Sequence, residues 1–193
     1  MPARIAQAAD LARTPWKNGG GTTAEIAAFP DGSSLQAFGW RVSMADVESD
    51  GPFSIFSGID RTLIVMEGNG IELAVGDVTH VLDGVSPRLS FPGDERTLAR
   101  LLSGPIRDLN VMTRRGVFEH RARIVKAGST WPLNDACAAF VVAMDAALDV
   151  TIGDSRHSLQ ALDTLILKET QAMIELSGNG RAVLIEIAPD VST

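Results

Sequence analysis

The 193-residue chain contains one cysteine, Cys137, so it can form no internal disulfide and build no cysteine-rich zinc site. A reducing, cytoplasmic setting is expected. Histidine is almost as scarce: His80, His120 and His157 are the only three, and no two form a His-x-His pair. Neither a metal nor any other cofactor is therefore expected. Tyrosine is absent, and aromatic residues make up only 5% of the chain. Positive charge is in the minority, with 17 Lys plus Arg against 24 Asp plus Glu and a formal charge of -7. Such a balance does not attract a polyanion, so nucleic acid is not expected as a partner. No uncharged run approaches the roughly 20 residues of a membrane helix, and the N-terminus lacks the apolar core of a secretion signal. No membrane partner and no processing are expected.

What the chain does have is short apolar runs punctuated by 18 glycines and nine prolines. Runs recurring every ~8 to 12 residues with turn signals between them predict an all-β fold. Residues 38–44 alternate, with Phe38, Trp40, Val42 and Met44 on one face and Arg41 and Ser43 on the other, which predicts a strand. Residues 62–66 and 71–75 flank Glu-Gly-Asn-Gly, a hairpin signal. Residues 118–125 alternate again, and 94–102 fit helix or strand, with strand favoured by the all-β context.

An internal repeat organises these runs. Ile71-Glu-Leu-Ala-Val-Gly-Asp-Val-Thr-His-Val-Leu82 aligns with Leu148-Asp-Val-Thr-Ile-Gly-Asp-Ser-Arg-His-Ser-Leu159, sharing Gly-Asp, His and Leu at an offset of 77 residues. The same offset lays Leu63-Ile-Val65 over Phe140-Val-Val142 and Leu89 over Ile166. A duplicated β module is predicted, its halves spanning residues 1–116 and 117–193, folding together and packed against each other.

Chemistry-bearing residues concentrate in the first half. Pro15-Trp-Lys-Asn-Gly-Gly-Gly-Thr-Thr-Ala-Glu25 sets three glycines between Lys17 and Asn18 on one side and Glu25 on the other. Such a loop can present backbone N–H groups to an anion, or its glycines can serve hairpin geometry alone. It is neither a Walker A loop nor a Gly-x-Gly-x-x-Gly fingerprint. Arg41 and Ser43 share a strand face, and Arg61 opens the next strand; an arginine fork matches a carboxylate, unless these side chains simply face solvent. Asp108, Asn110 and Arg114 crowd a further short run. Cys137 lies in an apolar run and reads as a core residue rather than a nucleophile. The two histidines at equivalent repeat positions, His80 and His157, read as structural.

The glycine-loop motif, followed by Trp40-Arg-Val-Ser43, Gly51-Pro-Phe-Ser-Ile-Phe-Ser-Gly58 with Arg61, and Asp108-Leu-Asn-Val-Met-Thr-Arg-Arg-Gly116, resembles the HutD/Ves family over most of residues 1–120. The C-terminal third resembles it mainly in length and β pattern. The resemblance implies a bicupin, two cupin-like β-barrels in one chain, and a cytosolic protein that modulates histidine utilisation. It also implies one pocket lined by Lys17, Asn18, Glu25, Arg41, Ser43, Arg61, Asp108, Asn110 and Arg114. The His-x-His pattern of metal cupins is missing, so metal chemistry is not carried over with the fold. A metal-free binding protein for a small acidic metabolite, formylglutamate or urocanate, is the favoured expectation. A metal-free enzyme using Glu25 as acid or base is the alternative, and a protein-interaction module, a homodimer among its forms, is the third.

Overall fold

The computed structural model describes residues 3–191, and among these there are strands and turns but no α-helix; no helix is long and apolar enough to cross a membrane. The strands are β1 (Ala3–Ala6), β2 (Arg13–Pro15), β3 (Gly21–Phe29), β4 (Trp40–Val47), β5 (Gly51–Pro52), β6 (Ile59–Glu67), β7 (Ile71–Val75), β8 (Val78–Leu82) and β9 (Arg88–Pro92). After them come β10 (Thr97–Leu101), β11 (Ile106–Arg114), β12 (Phe118–Lys126), β13 (Ser129–Ala143), β14 (Leu148–Ile152), β15 (Ser155–Leu159), β16 (Thr164–Gly178) and β17 (Arg181–Pro189). Within the ambiguous run at 94–102, residues 97–101 form a strand, β10.

The chain divides into two compact units, residues 12–117 and residues 1–11 with 118–193. The N-terminal half as read from the sequence, 1–116, therefore loses its first eleven residues. β1 hydrogen-bonds to β16, with Ile5 opposite Leu165, and the N–H of Ala8 donates to a carboxylate oxygen of Asp163 at 2.9 Å.

In residues 12–117 a six-stranded sheet, β2-β3-β4-β11-β6-β9, accompanies a four-stranded sheet, β5-β10-β7-β8. Their shared core takes Leu63, Val65, Phe91 and Ile106 from the first and Ile71, Leu73, Leu82 and Ala99 from the second. Each such aliphatic side chain removed from water contributes about 1.5–3 kcal/mol. The two sheets do not join by hydrogen bonds into one ladder, so this unit is an open cupin-like sandwich and not a closed barrel. The other unit is one seven-stranded sheet in which β13 and β16, each 15 residues long, pair along both of their ends. Its core gathers residues from β12 to β17.

Two turns separate what the sequence signalled from what the chain does. The Asn-Gly at 69–70 makes no hairpin, because β6 pairs with β9 and β11 while β7 pairs with β8 and β10. The glycines on either side of Asn69 carry the chain from one sheet to the other at close quarters: a Cβ on Gly68 would come within 2.6 Å of the Pro105 carbonyl oxygen. The hairpin lies one connection later, at Gly76-Asp77, with Gly76 at φ 55°.

The repeat is present, with a correction to its register. β7–β8 and β14–β15 pair identically at the offset of 77: Ile71 faces Leu82 as Leu148 faces Leu159, and Gly153 repeats the φ of 55°. On either side the equivalence slips. Val65 N–H donates to the Pro87 carbonyl as Ala143 N–H donates to that of Asp163, so β6 aligns at 78 and β9 at 76. Leu63 thus corresponds to Val141, not Phe140, and Leu89 to Leu165, not Ile166; Leu63, Leu89, Val141 and Leu165 pack in the respective cores. A one-residue slip moves a strand's side chains to the opposite face, and the core fixes which register survives.

Candidate functional site

Strand alternation collects the polar residues of the first half on one face. Ser43 of β4 lies opposite Glu25 of β3 and Asn110 of β11. Met112, two residues along β11, lies opposite Arg41 on one side and Arg61 of β6 on the other, and Asp108 lies opposite Val65. This is the face that carries Leu63, Val65 and Phe91, so the polar strip enters the apolar core between the sheets. Ser43 (1% exposed), Asp108 (1%), Asn110 (4%) and Arg61 (8%) are buried. Arg41 is half-buried and Glu25 marks the solvent end of the strip.

Arg61 donates its Nε–H to Oδ1 of Asn110 at 2.7 Å, and a terminal nitrogen donates to the same oxygen. The Asn110 amide in turn donates to Oδ1 of Asp108, whose Oδ2 meets no hydrogen-bonding partner among the described residues. The guanidinium carbon of Arg61 stands 4.8 Å from the ring centre of Phe53 and 5.4 Å from that of Phe91, so both rings face the cation. Trp16 meets Phe53 edge to face at 6.4 Å and donates from its indole to Thr23 at 2.7 Å. Arg41 donates to Glu25 at 2.8 Å and to Ser43 at 3.2 Å.

Burial dominates the electrostatics. It pushes the Asp108 carboxyl up to about 7, although Arg61 and the Asn110 hydrogen bond pull the other way. It also lowers Arg61 to about 10, with Asp108 opposing and neighbouring Arg41 reinforcing the shift. No ion pair within 4.0 Å joins Arg61 to a carboxylate among the described residues. A guanidinium out of water with no carboxylate in direct contact is costly, and a carboxylate ligand would offset that cost.

Glu25, Arg41, Ser43, Arg61, Asp108 and Asn110 are thus brought together, whereas the other three candidates lie elsewhere. Arg114 donates to the main-chain oxygen of Phe38 at 3.2 Å and to that of Gln36 at 3.5 Å, holding a loop. Asn18 accepts from the Gly20 N–H at 3.1 Å, and Lys17 is exposed beside it. The glycines of that loop serve its own turn: Gly19, at φ 72°, donates to the Trp16 carbonyl, and a Cβ on Gly21 would overlap the carbonyl oxygen of Asp46. Phe53, Phe91 and Trp16 were not singled out from the sequence. The signal for the first was at hand, since Phe53 sits inside the Gly51–Gly58 motif.

On the opposite face of β4, Asp46 accepts from Arg107 at 2.7 Å and pairs with Arg13. Burial pushes its carboxyl up, but the arginines outweigh this and hold it below the usual range. A depression there is lined by Asp46, Glu48, Glu67 and Arg107, and its one cation, Arg107, is already paired with Asp46 and Glu67. The Arg61 strip, with an unmatched cation, is the stronger candidate.

The HutD family model matches residues 8–184. This chain belongs to the HutD family. It is 34% identical over 194 residues to an uncharacterised 21.2 kDa protein from the hutC 3′ region of Pseudomonas putida, covering 95% of this chain and 96% of that one. Protein Ves of Citrobacter koseri is 37% identical over 120 residues, 60% of this chain and 61% of that one. The structure of HutD from Pseudomonas fluorescens SBW25, obtained in a formate condition, superposes with a TM-score of 0.84 at 31% identity, covering 97% and 99% of the two chains. Oxalate decarboxylase of Lactobacillus farciminis shares the cupin-like fold alone, with a TM-score of 0.65 at 7% identity over 95% of this chain and 85% of that one. The position of a relative in the hut region associates the HutD family with histidine utilisation.

The cupin-like fold raises the question of a metal, and the donor set of this HutD chain does not fit one. Among the described residues no three His, Cys, Asp or Glu side chains are grouped to hold an ion. His80 sits on the edge strand β8 opposite Leu73, and His157 repeats this on β15 opposite Val150. Cys137 is half-buried, its thiol 3.2 Å from the Ile187 carbonyl oxygen.

Nor does the second unit of this HutD chain repeat the strip. With the corrected register, Arg61, Asn110 and Asp108 correspond to Ala139, Leu184 and Ala182, all buried and apolar. The duplication preserves the frame and confines the buried polar relay to one copy.

Proposed function

We propose that this protein binds a small carboxylate metabolite of histidine breakdown, formylglutamate or urocanate, on the inner face of the residues 12–117 unit, without a metal, and thereby modulates histidine utilisation. One observation carries the reading: the buried guanidinium of Arg61, ringed by Phe53 and Phe91, has among the described residues only the neutral oxygen of Asn110 as its acceptor. Its remaining N–H groups suit a carboxylate, and the two phenyl rings keep water away from the cation. Arg41 adds a second positive charge nearer the solvent, held by Glu25 until a ligand competes. Membership of the HutD family, with a relative in the hut region, supports the metabolic context.

Calorimetric titration of EDTA-treated protein with histidine, urocanate, formylglutamate, glutamate and formate tests this. Saturable binding of one acidic compound is expected, reduced about 10- to 150-fold in Arg61→Met, the equivalent of a lost charged hydrogen bond. Absence of binding by any of them, or binding that needs an added divalent metal, overturns the reading.

A further inference from the structure

The Asp108 carboxyl is the one group of the relay for which the binding reading has no role. It is 1% exposed, gives one oxygen to the Asn110 amide and leaves the other without a partner among the described residues. Through Asn110 it stands one side chain away from Arg61, so it is the buried negative charge that competes with an incoming anion for the same cation.

We propose that Asp108 is a specificity-determining proton carrier of this site: an anion that settles on Arg61 is bound together with a proton taken up by Asp108. The proposal rests on the binding site described above. With Asp108 neutral, Arg61 and Arg41 face only Glu25, and the strip carries one surplus positive charge, suited to a ligand that brings one carboxylate to it. With Asp108 ionised that surplus vanishes and the ligand's carboxylate meets a second buried anion. Like charges in a low-dielectric site do not both remain ionised, so the weaker acid takes the proton. Free carboxylates ionise near pH 4, whereas burial already sets Asp108 near 7, so the proton goes to Asp108.

Other charges face this group from each neighbouring strand. β6 brings Arg61, β4 brings Arg41, and β3 brings Glu25. Asp46, on the opposite face of β4, adds a negative potential that further raises Asp108. The four-stranded sheet contributes aliphatic side chains to the shared core, and its edge strand carries half-buried His80 opposite Leu73. His80→Asn is therefore the control for a histidine origin of any pH effect.

The sign follows from linkage. Below about pH 7 Asp108 is protonated with or without ligand, and affinity is at its highest and flat. Above that value binding requires proton uptake, and affinity falls by up to about tenfold per pH unit until the raised bound-state value is passed.

Formylglutamate titrations of the full chain from about pH 6 to about pH 9, each in two buffers of different protonation enthalpy, read both affinity and proton uptake. Wild type and His80→Asn are expected to lose about tenfold in affinity across this range and to show buffer-dependent heats of proton uptake above pH 7. Asp108→Asn is expected to bind with flat affinity and without that buffer dependence. An infrared difference spectrum of wild type above pH 7 should gain a protonated-carboxyl band on ligand addition, a readout that holds even if Asp108→Asn misfolds. Formylglutamate binding that is independent of pH and buffer, with no such band, overturns the proton coupling and leaves the site standing. Titrations in which no acidic compound binds at any pH overturn the site and this inference together.

Discussion

Asn110 occupies the Nε edge of Arg61, with its Oδ1 2.7 Å from that nitrogen, and turns its own amide N–H toward Asp108. A neutral amide thus stands between a buried cation and a buried acid and keeps them from forming a direct ion pair. Had they met, the cation would already be neutralised.

Replacing that spacer with a carboxylate tests its role. Asn110→Asp places a charge directly on the Arg61 fork, and a ligand carboxylate then has to displace it. Anion affinity should fall at least about tenfold with the fold intact, as measured by calorimetry beside circular dichroism. Unchanged affinity would mean the ligand does not use Arg61.

The outer arginine gives a pair of opposed expectations. Arg41→Ala removes a positive charge and should weaken anion binding by about 1.5–3 kcal/mol. Glu25→Gln, which frees Arg41 from its 2.8 Å partner, should strengthen it by several-fold. If both variants shift affinity in the same direction, Arg41 is not a ligand group.

Asp108 also makes stability depend on pH. Its folded value of about 7 exceeds the unfolded one near 4, so the folded state holds the extra proton between them. The associated stability is fully present below pH 4 and is lost as pH rises through about 7, a change on the order of 4 kcal/mol. Denaturant unfolding of wild type and Asp108→Asn at several pH values should show the variant gaining on wild type across this window. A constant difference between the two would show that Asp108 titrates normally.

Two neighbouring glycines should respond differently to alanine. Gly21→Ala drives a Cβ into the Asp46 carbonyl oxygen where β3 meets β4, and about 3 kcal/mol or more should be lost, as for other severe steric insults in a well-packed region. Gly19→Ala meets no atom within 4 Å and faces only the left-handed φ of 72°, so about 1–2 kcal/mol is expected. Equal losses in urea unfolding would contradict the close approach at Gly21.

Much of this was legible before any fold was known. Alternation placed Arg41 and Ser43 on one face, and the strands around Gly76-Asp77 and Gly153-Asp154 announced a duplicated hairpin that the two registers repeat residue for residue. Arg41, Ser43 and Arg61 were candidates because strand periodicity and arginine chemistry are local properties, and the resemblance to the HutD/Ves motifs joined Glu25, Asp108 and Asn110 to them. The Asn-Gly at 69–70 misled for a physical reason. Glycine licenses both a tight hairpin and a close crossing between sheets, and only the packing of Gly68 against Pro105 selects the second.

The sequence by itself determined that the chain is all β, duplicated, poor in metal ligands and supplied with arginines in its first half, because composition, period and spacing are carried by the residues alone. Tertiary structure decided the rest. It slipped β6 and β9 by one residue in opposite senses to keep the core apolar, tied Asn18 and Arg114 to main-chain groups of nearby loops, left Lys17 exposed, and set Phe53 and Phe91 against Arg61. Burial, which no local pattern encodes, turned Asp108 from an ordinary carboxylate into an acid titrating near neutrality, and left Arg61 a cation with no carboxylate in direct contact.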